Sequence, residues 1–351
     1  MTLSVCLITK DNEKTIRGCL ESIKPIADEI IIADTGSTDK TREIASSFNA
    51  KIFSYPWDNN FSNAKNFAIS KASGKWILAI DADEVISRKD LEKIKELIKE
   101  ENNTLGYYLV QRNYTNEKGE LGWISTKDDE YEESKIAKGY TERKMLRLFR
   151  NDERIRFEGA VHDSVIKSIE RIGRELIKDS EIPIHHFGYL NRSKERTEMY
   201  IEIEKQNIKE DYFQYYQIAS QLHSIGKINE ATDYLLKSLK LNPEFGYTYL
   251  ELAIIGIKKG KLSESKHLLI KSLQLKQTET AWSNLGIIEA YEKNFDKAIG
   301  CLKNAVAMNQ KNADNYYNLG NALKQAGKIN EAKQTYEKAA YLNSDYKDKT
   351  R

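Results

Sequence analysis

The 351-residue chain is poor in cysteine: only Cys6, Cys19 and Cys301 occur, far apart and at no metal-ligand spacing. That argues against a disulfide framework or a structural zinc site and leaves three small core residues in a reducing cytoplasm. Long apolar runs are missing as well. The longest, Ile30 to Ala33 and Trp76 to Ile80, fall far short of the roughly 20 residues that cross a bilayer, so no transmembrane segment is expected. The amino terminus meets Lys10, Asp11 and Glu13 at once, and no secretory leader is expected there. Charge of one sign is also lacking. With 55 Lys+Arg against 53 Asp+Glu the net charge is +2, which supplies no basic field for nucleic acid and no acidic block. What remains, 40% hydrophobic and 31% charged residues, describes an ordinary core-forming protein whose length suggests two domains.

The carboxyl-terminal half repeats itself. Aligning Tyr215, Tyr249, Trp282 and Tyr316 gives spacings of 34, 33 and 34 residues. Small residues recur in register, Ala231, Ser265, Ala298 and Ala332, followed seven residues on by Ser238, Ser272, Ala305 and Ala339, as closely packed helices require. Gly226, Gly260 and Gly327 mark the turn between helices, and Lys293 takes that place in the third unit. From about Tyr212 to Tyr346 the pattern resembles the tetratricopeptide repeat, an all-α solenoid of helix pairs; a plain helical bundle has no reason to keep the period. The resemblance implies a surface that binds polypeptide or makes a dimer, and no chemistry of its own.

The amino-terminal half alternates short strands with helices. Leu3–Ile8, Glu29–Ala33, Ala50–Tyr55 and Trp76–Ile80 read as strands, the middle ones too apolar to be half exposed. Ile16, Cys19, Leu20 and Ile23 make a helical stripe, as do Leu91, Ile94, Leu97 and Ile98; Thr41–Phe48 and Phe61–Ile69 are shorter helices. This alternation predicts a parallel sheet covered on both faces. Beyond Tyr107 the pattern loosens, and Asn113–Tyr140, polar and Tyr-rich, reads as a long loop or flap.

In an open parallel sheet, ligands sit beyond the carboxyl ends of the strands. Three such ends are rich in polar residues: Thr9-Lys10-Asp11-Asn12-Glu13, Asp34-Thr35-Gly36-Ser37-Thr38-Asp39 and Asp81-Ala82-Asp83-Glu84. Carboxylates gathered on one edge repel unless a cation joins them, and hard divalent cations share such oxygens with substrate phosphates. A metal-bridged nucleotide diphosphate fits. Asp34 can accept a hydrogen bond from a base N–H or a ribose hydroxyl, whereas Asp39 reads as a helix cap. Asp81 and Asp83, directly after a very apolar strand, point to function more than to a surface turn. Lys65 and Asn66 read either as facing this site or as a solvated helix face. Arg147 and Arg150 suit bidentate phosphate contact, and a surface ion pair explains either equally well. His223 and His267, inside repeat helices, read as structural.

Further segments accompany these: Pro56-Trp57, Phe61-Ser62-x-Ala64-x-Asn66, Arg147-Leu-Phe-Arg150, Phe157-Glu-Gly-Ala-Val-His162-Asp163 and His186-Phe-Gly-Tyr189. With them, residues 1 to about 195 resemble a family-2 glycosyltransferase of the GT-A fold. The resemblance implies an α/β, Rossmann-like domain with a mainly parallel central sheet over residues 1–195, a helical linker at 196–211 and the repeat domain at 212–351. It implies a uridine-diphosphate sugar, UDP-glucose or UDP-N-acetylglucosamine, along Thr9, Lys10, Asn12 and Glu13 with Asp34 on the uracil edge. Lys65, Asn66, Ala82 and Arg147 complete the expected nucleotide surroundings. Mn²⁺ or Mg²⁺ is implied, with Asp83 as main ligand, Asp81 on ribose or a metal-bound water, and His186 completing the shell. Single-displacement chemistry also needs a base on the acceptor side: Asp163, with Glu158 and His162 as alternatives.

The Gln-x-x-Arg-Trp signature of processive synthases in this family is absent, so addition of a single hexose is expected. Relatives with this pair of domains, the bacteriocin-type peptide glycosyltransferases, share the Val-His-acidic and His-x-Gly-Tyr segments. They imply a peptide or protein acceptor modified at Ser, Thr or Cys, with the repeats binding it or forming a homodimer. A lipopolysaccharide core or other glycan is the alternative acceptor. A scaffold with a degenerate transferase half is a third reading, against which the intact Asp81 and Asp83 stand.

Overall fold

The computed structural model describes residues 2–99, 103–116, 122–191, 194–343 and 346–347. The chain forms two compact units, Met1–Asn116 with Glu130–Arg192, and Glu117–Asp129 with Ser193–Arg351.

In the first unit the apolar segments become strands as expected, but the third, at the sheet edge, is partly exposed rather than covered on both faces. β1 (Leu3–Thr9), β2 (Glu29–Asp34), β3 (Lys51–Ser54) and β4 (Trp76–Ala79) pair in parallel in the order β3-β2-β1-β4. Helices α1 (Ile16–Ile23), α2 (Thr41–Ser47), α3 (Phe61–Ile69) and α4 (Leu91–Lys99) fall where the stripes put them. Ile16, Cys19, Leu20 and Ile23 pack with Leu3, Val5, Leu7, Leu78 and Ile94 in a core on one face, while Ala68 and Ile69 join Ile31, Ile77 and Phe149 in a second core. Each buried Leu or Ile stabilises the fold by about 1.5–3 kcal/mol. Glu29 ties the strand starts together: Ser4 Oγ and the Ser73 N–H donate to its Oε1 (both 2.6 Å) and Lys51 Nζ lies 2.6 Å from Oε2.

The rest of the sheet departs from the parallel pattern. Two-residue β5 (Glu84–Val85), β6 (Gly106–Thr115), β8 (Gly139–Arg150) and β9 (Ile177–His186) extend the path to β3-β2-β1-β4-β8-β6-β9-β5. The β4/β8, β8/β6 and β9/β5 pairs are antiparallel and β6/β9 is parallel, so the sheet is mixed. The two ends of the expected 113–140 flap are strand: the β6/β8 ladder runs from Gly106↔Phe149 to Thr115↔Gly139 and takes in residues 113–115 and 139–140. Residues 117–121 of it lie outside the described residues. Its polarity misleads because Gln111, Asn113 and Thr115 share one face of β6 and are buried.

Among its described residues, the second unit has helices and the short strand β7 (Ile124–Ser125). Its repeat helices pair as α7 (Tyr212–Ser224) with α8 (Ile228–Leu241), α9 (Gly246–Lys258) with α10 (Leu262–Leu275), α11 (Glu279–Tyr291) with α12 (Phe295–Met308), and α13 (Ala313–Gln325) with α14 (Ile329–Leu342). All eight small residues aligned from the sequence are buried. Gly226, Gly260 and Gly327 take φ of 82°, 74° and 76°, and Lys293 adopts the same left-handed turn at 65°. The expected linker residues lie mostly in α6 (Lys194–Gln206), whose Ile201 joins the first repeat's core with Ile218, Leu222 and Leu235. Residues 122–129, although inside the amino-terminal half by sequence, bond to the last repeats. Asn309 Nδ2 donates to Trp123 O (2.9 Å), Ser125 Oγ to Leu342 O (3.1 Å) and Lys127 Nζ to Tyr341 O. Among the described residues, no helix is long and apolar enough to cross a membrane.

Candidate active site

β1 and β2 end side by side, and the loops beyond them are tied together. Asp11, left-handed at φ 51°, donates its N–H to Ser37 Oγ (3.0 Å) and accepts from the Thr38 N–H (2.7 Å). Asn12 donates its N–H to Thr41 Oγ1 (2.7 Å), and its Oδ1 accepts from Thr9 Oγ1 (2.9 Å) and the Lys10 N–H (3.2 Å). Glu13 donates its N–H to Asp39 Oδ2 (3.0 Å) and takes the Lys40 N–H at Oε2 (3.3 Å). Asp39 also accepts the Thr41 N–H at the start of α2 (2.9 Å), consistent with a capping role. Asp34 is buried, accepts the Ser37 N–H (3.3 Å) and pairs with Arg42 Nη1 (2.8 Å). Thr9, Lys10, Asn12, Glu13 and Asp34 thus make one rim.

α3 begins at Asn60, whose Oδ1 accepts the Asn63 N–H (3.1 Å), and it fastens the segment 157–160. Asn66 exchanges two hydrogen bonds with the Phe157 main chain (3.0 and 2.8 Å), Ser62 Oγ donates to Gly159 O (2.6 Å) and the Phe61 N–H to Ala160 O (2.8 Å). The Asn66 amide is therefore engaged by the chain itself. This fastening sets Asp163 beside Lys65, whose Nζ lies 2.9 Å from Asp163 Oδ2 and 3.2 Å from Asp81 Oδ1. Burial lowers the Lys65 pKa, but Asp163 and Asp81 outweigh it and the net shift is upward. Of the other base candidates, Glu158 pairs with Arg171 and His162 is exposed.

Beyond β4 the charges alternate. Arg147 Nη2 lies 2.7 Å from Asp81 Oδ2 and 3.2 Å from Glu84 Oε1. Glu84 also accepts the Asp81 N–H (2.8 Å) and Gln111 Nε2. Burial alone would raise the Asp81 carboxyl; Arg147 and Lys65 hold it well below the usual range. Glu84, fully buried, is pushed up by desolvation, which Arg147 only partly opposes. Desolvation lowers the Arg147 guanidinium, and Asp81 and Glu84 more than restore it. Arg147 is itself buried and ion-paired to the carboxylates of Asp81 and Glu84, which argues for a supporting role over direct phosphate contact. Arg150 lies over the Trp76 ring at 4.1 Å.

Asp83 faces His186. Glu84 pairs with His186 across β5/β9, and the Phe187 N–H donates to Asp83 O (3.1 Å). His186 Nε2 lies 3.5 Å from Asp83 Oδ1, and Nδ1 lies 2.7 Å from Asn113 Oδ1. Burial lowers the His186 pKa, but Asp83 outweighs it and the shift is upward. A Cβ at Gly188 would stand 2.5 Å from Asp83 Oδ2 and 2.6 Å from His186 Nε2, so glycine keeps this space clear. A carboxylate and an imidazole nitrogen around a cleared space fit a divalent cation. Lys65 and Arg147 take the two oxygens of Asp81, and among the described residues no three His, Cys, Asp or Glu converge on one point. Ala82 packs into the core. The Tyr189 side chain lies outside the described ones.

The family model for glycosyl transferase family 2 matches residues 4–160. Residues 4–160 are a family-2 glycosyl transferase domain. Tetratricopeptide-repeat models match residues 215–245, 286–327 and 313–346. A TPR repeat-containing protein of Synechococcus elongatus is 28% identical over 275 residues, 74% of this chain and 63% of that protein. The SPbeta prophage-derived glycosyltransferase SunS of Bacillus subtilis is 27% identical over 256 residues, 70% of this chain and 54% of its own length. An uncharacterized glycosyltransferase of Rickettsia bellii is 39% identical over 100 residues, 28% of this chain and 34% of that protein. The chain thus spans less than two thirds of the length of the relatives it matches.

Sequence reasoning missed the supports of this glycosyl transferase domain: Arg42 on Asp34, Gln111 on Glu84 and Asn113 on His186. A signal for two of them exists. Gln111, Asn113 and Thr115 recur with period two in a strand hydrogen-bonded on both sides, where a buried polar face needs partners.

Proposed function

We propose that the chain transfers a single sugar, with inversion, from a uridine-diphosphate donor to a peptide or protein acceptor with Mn²⁺ or Mg²⁺ bound. The observation that carries this reading is the Asp83–His186 pair around a cleared space, two residues from the Asp81 that holds Lys65 and Arg147. Asp83 and His186 would hold the cation, which when bound neutralises charge on the leaving diphosphate. Thr9, Lys10, Asn12, Glu13 and Asp34 would line the nucleotide. Asp163, oriented by Lys65, is the base: it takes the acceptor's proton as the acceptor oxygen or sulfur attacks the anomeric carbon and the diphosphate departs from the opposite face. A polypeptide acceptor is read from the repeats, whose stacked helix pairs suit extended chains.

The test is thermal stability with uridine diphosphate and Mn²⁺, separately and together. Binding at a hundredfold excess over Kd adds about 2.7 kcal/mol; the pair should stabilise more than the sum of each alone. Asp83→Asn should abolish that synergy and lower donor turnover at least about 100-fold with the fold retained. Indifference to both ligands, or normal turnover of the variant, would overturn the reading.

A further inference from the structure

We infer that Asn113 is a positioning residue for His186, fixing the imidazole with its proton on Nδ1 and its Nε2 lone pair toward Asp83. The inference rests on the reading of Asp83 and His186 as cation ligands. In the parallel β6/β9 pairing Asn113 stands opposite His186, and its Oδ1 lies 2.7 Å from the ring's Nδ1. Asn113 is buried, and a buried amide left without a partner costs about 1–3 kcal/mol. A neutral imidazole carries one proton, and Asn113 Oδ1 and Asp83 Oδ1 are acceptors that face opposite nitrogens of the ring. Asn113 Oδ1 at 2.7 Å is within hydrogen-bond range of Nδ1, whereas Asp83 Oδ1 at 3.5 Å from Nε2 is beyond a good one. The closer acceptor keeps the proton on Nδ1 and leaves Nε2 as the donor atom a cation needs.

The neighbouring residues show that this is a property of the strand pair. Arg112 stands opposite His185, and Tyr114 on the other face of β6 places its hydroxyl 2.7 Å from His185 Nδ1. Tyr114 also stacks on His185 and Phe187, with centroids 5.8 and 5.4 Å apart. Adjacent β6 residues thus hold adjacent histidines from opposite faces, so His186 meets Asp83 in one orientation, and a side chain at position 188 would crowd both groups. Groups that orient a metal-bound histidine typically contribute about 10- to 100-fold in metal affinity.

The experiment uses the full chain and reads two independent quantities. The ¹⁵N NMR pattern of His186, at a pH where the ring is neutral, reports which nitrogen carries the proton without any metal; Mn²⁺ binding followed by electron paramagnetic resonance reports affinity. Wild-type protein should show Nδ1–H. Asn113→Leu should shift the tautomer toward Nε2–H and weaken Mn²⁺ binding about 10- to 100-fold, while Asn113→Asp, which restores an acceptor, should recover the Nδ1–H pattern. A Leu variant that keeps Nδ1–H and wild-type affinity overturns the inference. Should that variant not fold, Asn113→Asp decides: Nδ1–H supports the role and Nε2–H overturns it. Unchanged Mn²⁺ affinity in Asp83→Asn would instead sink the cation site, an outcome distinct from the tautomer result.

Discussion

Lys65 touches two carboxylates that the sequence holds 82 residues apart, Asp81 and Asp163, and no helix pattern reveals such a bridge. Its side chain is 11% exposed and that of Asp163 10%, so removing the ammonium leaves charges with little water to replace it. Lys65→Met should cost about 3–5 kcal/mol, measured by urea denaturation, and Lys65→Arg much less. A loss below about 1 kcal/mol, the range of an exposed pair, would show that the bridge is not structural. The same substitution should lower transfer more than donor binding if Lys65 acts by orienting Asp163.

At the scale of elements, Glu29 and Lys293 offer two separable measurements. Burial would raise the Glu29 carboxyl, but Lys51, Ser4 and Ser73 lower it from 4.5 to about 2. The folded protein therefore binds fewer protons at this site than the unfolded chain between those values. The stabilisation is fully present above about pH 4.5 and is lost as pH falls toward 2. Glu29→Gln should flatten the acid limb of a pH–stability curve in that window; an unchanged limb would contradict the assignment. In the third repeat, Lys293 takes the left-handed turn that glycine supplies in the other three. Lys293→Gly should stabilise the repeats by about 1 kcal/mol, read as a raised melting temperature. A fall would mean that the lysine has a role beyond the turn.

For the whole molecule, the division into units does not follow chain order. Residues 122–129 belong with the repeats, where Tyr341 alone receives a hydrogen bond from Lys127, sits 3.6 Å below its ammonium and directs its hydroxyl to Asp128. Ending the chain before Ser193 removes Asn309, Tyr341 and Leu342 together. Limited proteolysis of such a truncated protein should cut within 122–129 at least about 10-fold faster than in the full chain. Equal rates would show that those contacts do not hold the segment.

The local patterns of the sequence determined the four parallel strands, the repeat period and the acidic rim, because apolar alternation and small-residue spacing act through neighbours in the chain. The resemblance to family-2 glycosyltransferases, carried by short motifs in the sequence, placed Asp83, His186 and Asp163 among the candidates. The tertiary structure alone decided that Asp81 is held by Lys65 and Arg147, that Asn66 binds the Phe157 main chain, and that β6, β8 and β9 finish the sheet. Those outcomes depend on contacts between residues 16 to 91 positions apart, where the partner of a buried charge or amide is set by strand order and register. A polar stretch such as 113–115 reads as loop until the strands on either side of it are known.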